Sequence, residues 1–253
     1  IGGSGQTMNA WEPYLIKKLV ESNNSVIVFD NRGIENTTKG IKPFSIKQFA
    51  YDTIELLEKL GIDKKIDILG FSMGSLIAQE IALNHPEKIR KLILYASTCS
   101  VRKDDANDAT IPVKEILNIF FTLRNQVMLK NMSVDEINKK ISLLYFSEDW
   151  IKNNSDYLKN FPVINEPLNS EIFKLQGEAY VNWNGSCNTI NNIRIPTLIM
   201  VGTDDAVTPP ANSIKLAQKI PGAWLIQIKD ASHGLMYQYP LKFSEIIQLF
   251  LNQ

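Results

Sequence analysis

Histidine is nearly absent from this chain: His85 and His233 are the only two in 253 residues. That scarcity excludes a histidine-rich metal centre. Cysteine is equally sparse, and Cys99 and Cys187 are too few for a disulfide framework or a four-thiolate zinc site. Neither sign of charge is in surplus, because 27 basic residues balance 27 acidic ones. A nucleic-acid binder needs Lys and Arg in excess on one face to neutralise phosphates, so that class is set aside. No apolar run reaches the ~18 residues that a membrane-crossing helix requires. The start of the chain lacks an initiator Met, a basic segment and an apolar segment of the kind a secretory leader shows. Its opening, Ile1-Gly2-Gly3-Ser4-Gly5, reads as the middle of a longer protein.

What remains is a globular chain with 44% hydrophobic residues, too many for disorder. Short apolar runs alternate with amphipathic stretches, the pattern of a parallel sheet covered by helices, and the expected fold class is α/β. Buried strands are expected at Val26–Phe29, Lys65–Leu69, Leu92–Tyr95, Thr197–Val201 and Trp224–Ile228. Helices are expected over about 11–21, 45–60, 73–84, 213–219 and 241–251. In the second of these Phe49, Ile54, Leu57 and Leu60 fall on one stripe, and Gly61 ends it. Between Thr98 and Ile193 the strand runs vanish. Helical patterns at Val113–Lys130, Val134–Tyr145, Glu148–Leu158 and Glu171–Trp183 mark an all-helical insertion between two strands.

Gly70-Phe71-Ser72-Met73-Gly74 lies between an expected strand and an expected helix, the context of a G-x-S-x-G nucleophile elbow. A turn that tight forces Ser72 into a strained backbone conformation and throws its hydroxyl clear of the sheet. The glycines admit backbone where a Cβ would clash, and the helix beginning at Met73 aims its amides at the same spot. The plain alternative is a Gly-containing turn with a solvent-facing serine. A serine nucleophile needs a base that is itself oriented by an acid. Two histidines follow the elbow, and His233 lies just beyond the last expected strand, where a base would be expected. His85 ends a helix directly before Pro86 and reads as structural. The turn Gly202-Thr203-Asp204-Asp205 offers two acids, and either one could instead cap the turn. The order Ser72, Asp204 or Asp205, His233 is that of α/β-hydrolases.

On these motifs the chain resembles the α/β-hydrolase fold superfamily, in the branch with a helical cap, over nearly its whole length. The family's Gly-x-x-Asp-x-x-x-Pro acid loop is matched by Gly202, Asp205 and Pro209, which selects Asp205 over Asp204. Ser232-His233-Gly234 matches its base loop, and Asp30-Asn31-Arg32-Gly33 its Asp-x-Arg-Gly loop. Glu35 stands where that loop usually has Gly. If the position needs positive φ, Glu35 costs about 1 kcal/mol or the loop has shifted. Met73 after the nucleophile is similar to esterases, enol-lactonases and cofactor-free haloperoxidases. The resemblance also implies that strands and a dipeptide precede Ile1, and that the backbone N–H groups of Ile1 and Met73 form the oxyanion hole. It divides the chain into core (1–97), helical cap (98–192) and core (193–253).

The implied activity is a serine hydrolase acting on a small, largely apolar ester or lactone, with catalytic Ser72, Asp205 and His233. Neither cofactor nor metal is implied, and the only partner expected is a small-molecule substrate. The aromatic cap residues Phe120, Phe121, Tyr145, Phe146, Trp150 and Trp183, with Met128 and Leu144, suit an apolar pocket or simply pack the cap. A serine at the elbow argues against the dehalogenases and epoxide hydrolases of this fold, which use Asp there. C–C bond hydrolysis, perhydrolysis and ligand binding without turnover remain as alternatives. Cys99 and Cys187 mark the two ends of the cap. They could be close in space and form a disulfide there, but reduced thiols and a cytoplasmic location are the expectation.

Overall fold

A computed structural model describes residues 1–101, 133–156 and 170–253. Its sheet has four parallel strands in the order β1-β2-β3-β4: Ile66–Phe71, Ile89–Tyr95, Thr197–Gly202 and Trp224–Ile228. Between β2 and β3 lie the described helices α4 (Val134–Tyr145), α5 (Glu148–Asn153) and α6 (Ser170–Val181). The helices α1 (Pro13–Glu21) and α2 (Ile46–Lys59) precede β1, and α3 (Met73–Asn84) joins it to β2. After β3 come α7 (Pro210–Lys219), then β4, α8 (Leu235–Gln238) and α9 (Pro240–Leu251).

The strands read as nearly continuous apolar runs because both faces of the sheet are covered. Leu92 and Leu94 of β2 join Ile199 of β3 on the face packed by α2 and α3. The alternate residues Ile93, Tyr95, Leu198 and Met200 face Leu15 of α1 and Phe243 of α9. Local signals set the helix ends. Ser45 Oγ accepts from Gln48 N at 3.0 Å to start α2, and Gly61 at φ +68° closes it. Ser133 and Glu136 form a reciprocal capping box at the head of α4.

Three expectations change. Val26–Phe29 is not a buried strand: it pairs with no strand among the described residues, and Ile27 is 42% exposed. A groove of about 700 Å³ is lined jointly by this segment and by Ile66–Leu69 of β1. An apolar run is buried only when backbone and side chains meet it on both sides, and here that space intervenes. Leu60 is the cap residue beyond α2 and is 54% exposed, whereas Phe49, Ile54 and Leu57 are buried as the stripe requires. Cys99 and Cys187 are joined in a disulfide rather than reduced, with Cα atoms 4.8 Å apart. The two roots of the insertion meet there, at a sequence separation of 88. The expected helix Val113–Lys130, with Phe120, Phe121 and Met128, lies outside the described residues, and α5 ends at Asn153.

Candidate active site

Ser72 occupies the one-residue turn between β1 and α3 with φ 52° and ψ −121°, the strained conformation expected of an elbow. The flanking glycines are obligatory. A Cβ on Gly70 would stand 2.5 Å from Gly74 O, and one on Gly74 only 2.1 Å from Ile1 O. Ser72 N donates to Tyr95 O at 3.0 Å, tying the turn to the end of β2. Met73 heads α3, so its N–H is among those left without an intrahelical partner.

Asp205 follows β3 and is fully buried by its loop. Its Oδ1 accepts from Val207 N at 2.9 Å and Thr208 N at 2.8 Å, and its Oδ2 accepts from Thr208 Oγ1 at 2.8 Å. His233, beyond β4, places Nδ1 3.0 Å from Asp205 Oδ2 and 3.2 Å from Oδ1. The side chain of Asp205 retains 0% of its surface and that of His233 4%. Asp204 is exposed and its Oδ1 accepts only the local Thr203 hydroxyl, at 2.9 Å. The structure therefore brings Asp205, not Asp204, to the imidazole. The ring of Phe71, the residue before Ser72, lies 5.0 Å from the His233 ring between centroids. All three residues thus sit past the C-terminal ends of parallel strands, where open α/β sheets gather their functional groups.

Neighbouring groups hold the imidazole. Tyr95 donates its hydroxyl to the His233 carbonyl, and Tyr145 at the end of α4 sets its ring 5.5 Å from the His233 ring. Gly234 N donates to Tyr145 O at 2.8 Å, fastening α4 to the same loop. Burial, and secondarily the Asp205 carboxylate, pushes the Tyr95 and Tyr180 phenols far up, so both stay neutral beside the acid. Tyr95 and Thr208 were missed in the sequence. The Thr208-Pro209 pair after a candidate acid was the available signal for one of them, since a Thr three residues on can bring both its N–H and its hydroxyl to the carboxylate.

Other residues lie elsewhere or serve structure. Ile1 packs its carbonyl against Gly74, but its nitrogen donates to Leu69 O at 2.7 Å while Phe71 N donates to Ile1 O at 3.1 Å. This parallel ladder directs toward β1 the nitrogen expected at the oxyanion. Arg32 of the Asp-x-Arg-Gly stretch grips Asp52 of α2 through two hydrogen bonds, and Asp30 accepts from Met8 N at 2.6 Å. Glu35 has φ 46°, so the loop keeps its left-handed residue and Glu35 bears the strain. His85 ends α3 with Nδ1 3.5 Å from Glu87, far in sequence and role from the pair above. Trp183 ties to α3 by donating to Glu80 at 2.7 Å, and Phe146 stacks on Trp150 at 4.8 Å between ring centroids. No group of three or more candidate metal ligands occurs among the described residues. No helix among them is long and apolar enough to cross a membrane.

The model of the alpha/beta hydrolase fold family matches residues 1–240. A Mycobacterium tuberculosis protein provisionally named non-heme bromoperoxidase BpoC is 29% identical over 247 residues, covering 94% of this chain and 86% of that protein. The crystal structure of BpoC superposes with a TM-score of 0.83 at 23% identity, over 100% of this chain and 90% of the other. A protein of Azorhizobium caulinodans provisionally named carbamate hydrolase RutD is 25% identical over 99% of this chain and 89% of its own length. The enol-lactonase of Burkholderia xenovorans shares the fold with a TM-score of 0.77 at 20% identity, over 100% and 89% of the two chains.

Proposed function

The chain belongs to the alpha/beta hydrolase fold family, and on that premise we propose that it is a serine hydrolase cleaving a small, largely apolar carboxylic ester or lactone. The observation that carries the reading is the buried His233–Asp205 pair, whose imidazole lies 5.0 Å from the ring of Phe71, the residue before a serine held in a strained turn at a helix head. Asp205 binds Nδ1–H, so the proton-accepting lone pair of the imidazole is at Nε2. Ser72 Oγ attacks the carbonyl carbon and passes its proton to Nε2. Asp205 stabilises the imidazolium that forms. The developing oxyanion takes the Met73 N–H at the head of α3, a kind of contact worth roughly 10²–10³ in rate. The imidazolium then protonates the leaving oxygen, and water, deprotonated by the same imidazole, releases the acyl group. Tyr145 against His233 favours a substrate with an apolar group on that side.

The name of the M. tuberculosis relative favours a second reading, perhydrolysis, in which hydrogen peroxide instead of water accepts the acyl group. The Cys99–Cys187 bond favours an oxidising compartment over the cytoplasm.

The test is a fluorophosphonate serine probe read by intact mass, followed by a panel of short-chain esters and lactones with and without peroxide. One adduct on Ser72, and none in Ser72→Ala, is expected. Ester turnover that persists in folded Ser72→Ala would sink the mechanism.

A further inference from the structure

The core behind the elbow contains a continuous polar chain. Gln79 of α3 is fully buried, yet all its polar capacity is used: Nε2 donates to Ser97 Oγ at 2.9 Å and Thr98 O at 3.0 Å, and Oε1 accepts from Ser186 Oγ at 2.5 Å. Thr98 O can only accept, which settles which end of the amide faces it. Ser97 and Ser75 hydroxyls are 2.7 Å apart, and Ser75 Oγ lies 2.6 Å from Ser72 O. Each hydroxyl has one proton, so the polarity that satisfies every group runs from Gln79 to Ser97, to Ser75, to Ser72 O.

The carbonyl of Ser72 and the N–H of Met73 belong to one peptide unit. Ser75 thus places two donors on that carbonyl, its hydroxyl and its own N–H at 2.9 Å. Two donors on the oxygen fix the peptide plane and draw electron density from its nitrogen, so the Met73 N–H is aimed and made more acidic. The far end of the chain is anchored at the returning root of the insertion. Ser186 N donates to Cys99 O at 2.8 Å, and the next residue, Cys187, is bonded to Cys99.

We propose that Ser75 is a positioning residue for the oxyanion donor, and that Ser97 and Gln79 extend this device to the root of the cap. The proposal rests on the serine-hydrolase reading above. A buried run of hydroxyls and an amide could serve packing alone, so the test must read the oxyanion itself. In Ser75→Ala, kcat on an ester is expected to fall roughly tenfold with KM unchanged, less than the loss of a whole oxyanion donor. Phosphonylation of Ser72 by the fluorophosphonate should slow by a similar factor. The 31P resonance of the Ser72 adduct should also move, because it reports the hydrogen bonds to the phosphoryl oxygen. Ser97→Ala, which leaves the Ser75 hydroxyl in place, should show a smaller change in the same direction, and it serves if Ser75→Ala does not fold. Wild-type protein that labels normally, with folded variants that match it in rate and 31P shift, overturns this inference alone. Wild-type protein that takes no label overturns the hydrolase reading and this one with it.

Discussion

Replacing Asp205 by Asn changes one atom and should disable the imidazole without disturbing its place. Oδ1 receives two backbone N–H groups, from Val207 at 2.9 Å and Thr208 at 2.8 Å, so the Asn carbonyl must stay there. Its NH₂ then takes the position of Oδ2, 3.0 Å from His233 Nδ1, where the carboxylate had accepted a proton. An amide donor at that point, closer than the carbonyl oxygen at 3.2 Å, favours Nδ1 as acceptor and the ring proton on Nε2, the nitrogen that must take the proton of Ser72. Inverting the tautomer in this way lowers kcat about 10⁴-fold in triads of this kind, or about 5.5 kcal/mol at 1.36 per decade. The Thr208 hydroxyl can turn to accept from the new NH₂, so stability should change by only about 1 kcal/mol. The assay is kcat/KM on a p-nitrophenyl ester between pH 6 and 9, with a thermal melt to show that the fold persists. Asp204→Asn, at an exposed carboxylate bound only to Thr203, should stay within about twofold of wild type by the same balance. Asp205→Asn within tenfold of wild type, or a larger loss at Asp204, would refute the assignment of the acid.

Glu35→Gly removes a side chain from a left-handed position at φ 46° and should raise stability by about 0.5–1 kcal/mol, read as a higher Tm. Reducing Cys99–Cys187, or replacing both by Ser, opens a loop of sequence separation 88. On the chain-entropy account this costs up to about 4.6 kcal/mol, and a fall in Tm of roughly 10 °C is expected. Tyr95→Phe leaves the His233 carbonyl without its buried donor; a loss of about 1–3 kcal/mol in stability and a measurable drop in kcat should follow.

The parts of this molecule that follow from local chemistry were legible in its sequence. The termini of α3 and β4 match their expected ranges, because an elbow with two glycines, a Pro after a helix and a five-residue run with four apolar members are each decided within a few residues. Ser72 stood out for the same reason, in a turn whose composition is its own signature, whereas the acid was narrowed to Asp204 or Asp205 by its turn and to Asp205 only through the resemblance to the family's acid loop. Features that depend on what comes to lie alongside were not readable. Val26–Phe29 has the composition of a buried strand, but burial is conferred by a neighbour, and β1 stands across a groove from it. The direction of the Ile1 nitrogen is decided by its register against Leu69. The cysteines pair because two distant roots converge. Gln79 did carry a signal, an amide inside the apolar run Leu76-Ile77-Ala78 to Ile81-Ala82, but its partners come from Ser97, Thr98 and Ser186 in other segments.

The meeting of Cys99 and Cys187 makes the intervening stretch a cassette. With its ends 4.8 Å apart, the sheet experiences a sequence separation of 88 as though it were a tight turn. The spacing of β2 and β3, and hence of the groups carried past their ends, is set without reference to what the cassette contains. Its length and lining can diverge, or be exchanged by design, while Ser72, Asp205 and His233 keep their places. Substrate choice and chemistry would then evolve as separate variables, coupled through contacts such as Tyr145 against His233 and Ser186 with Gln79.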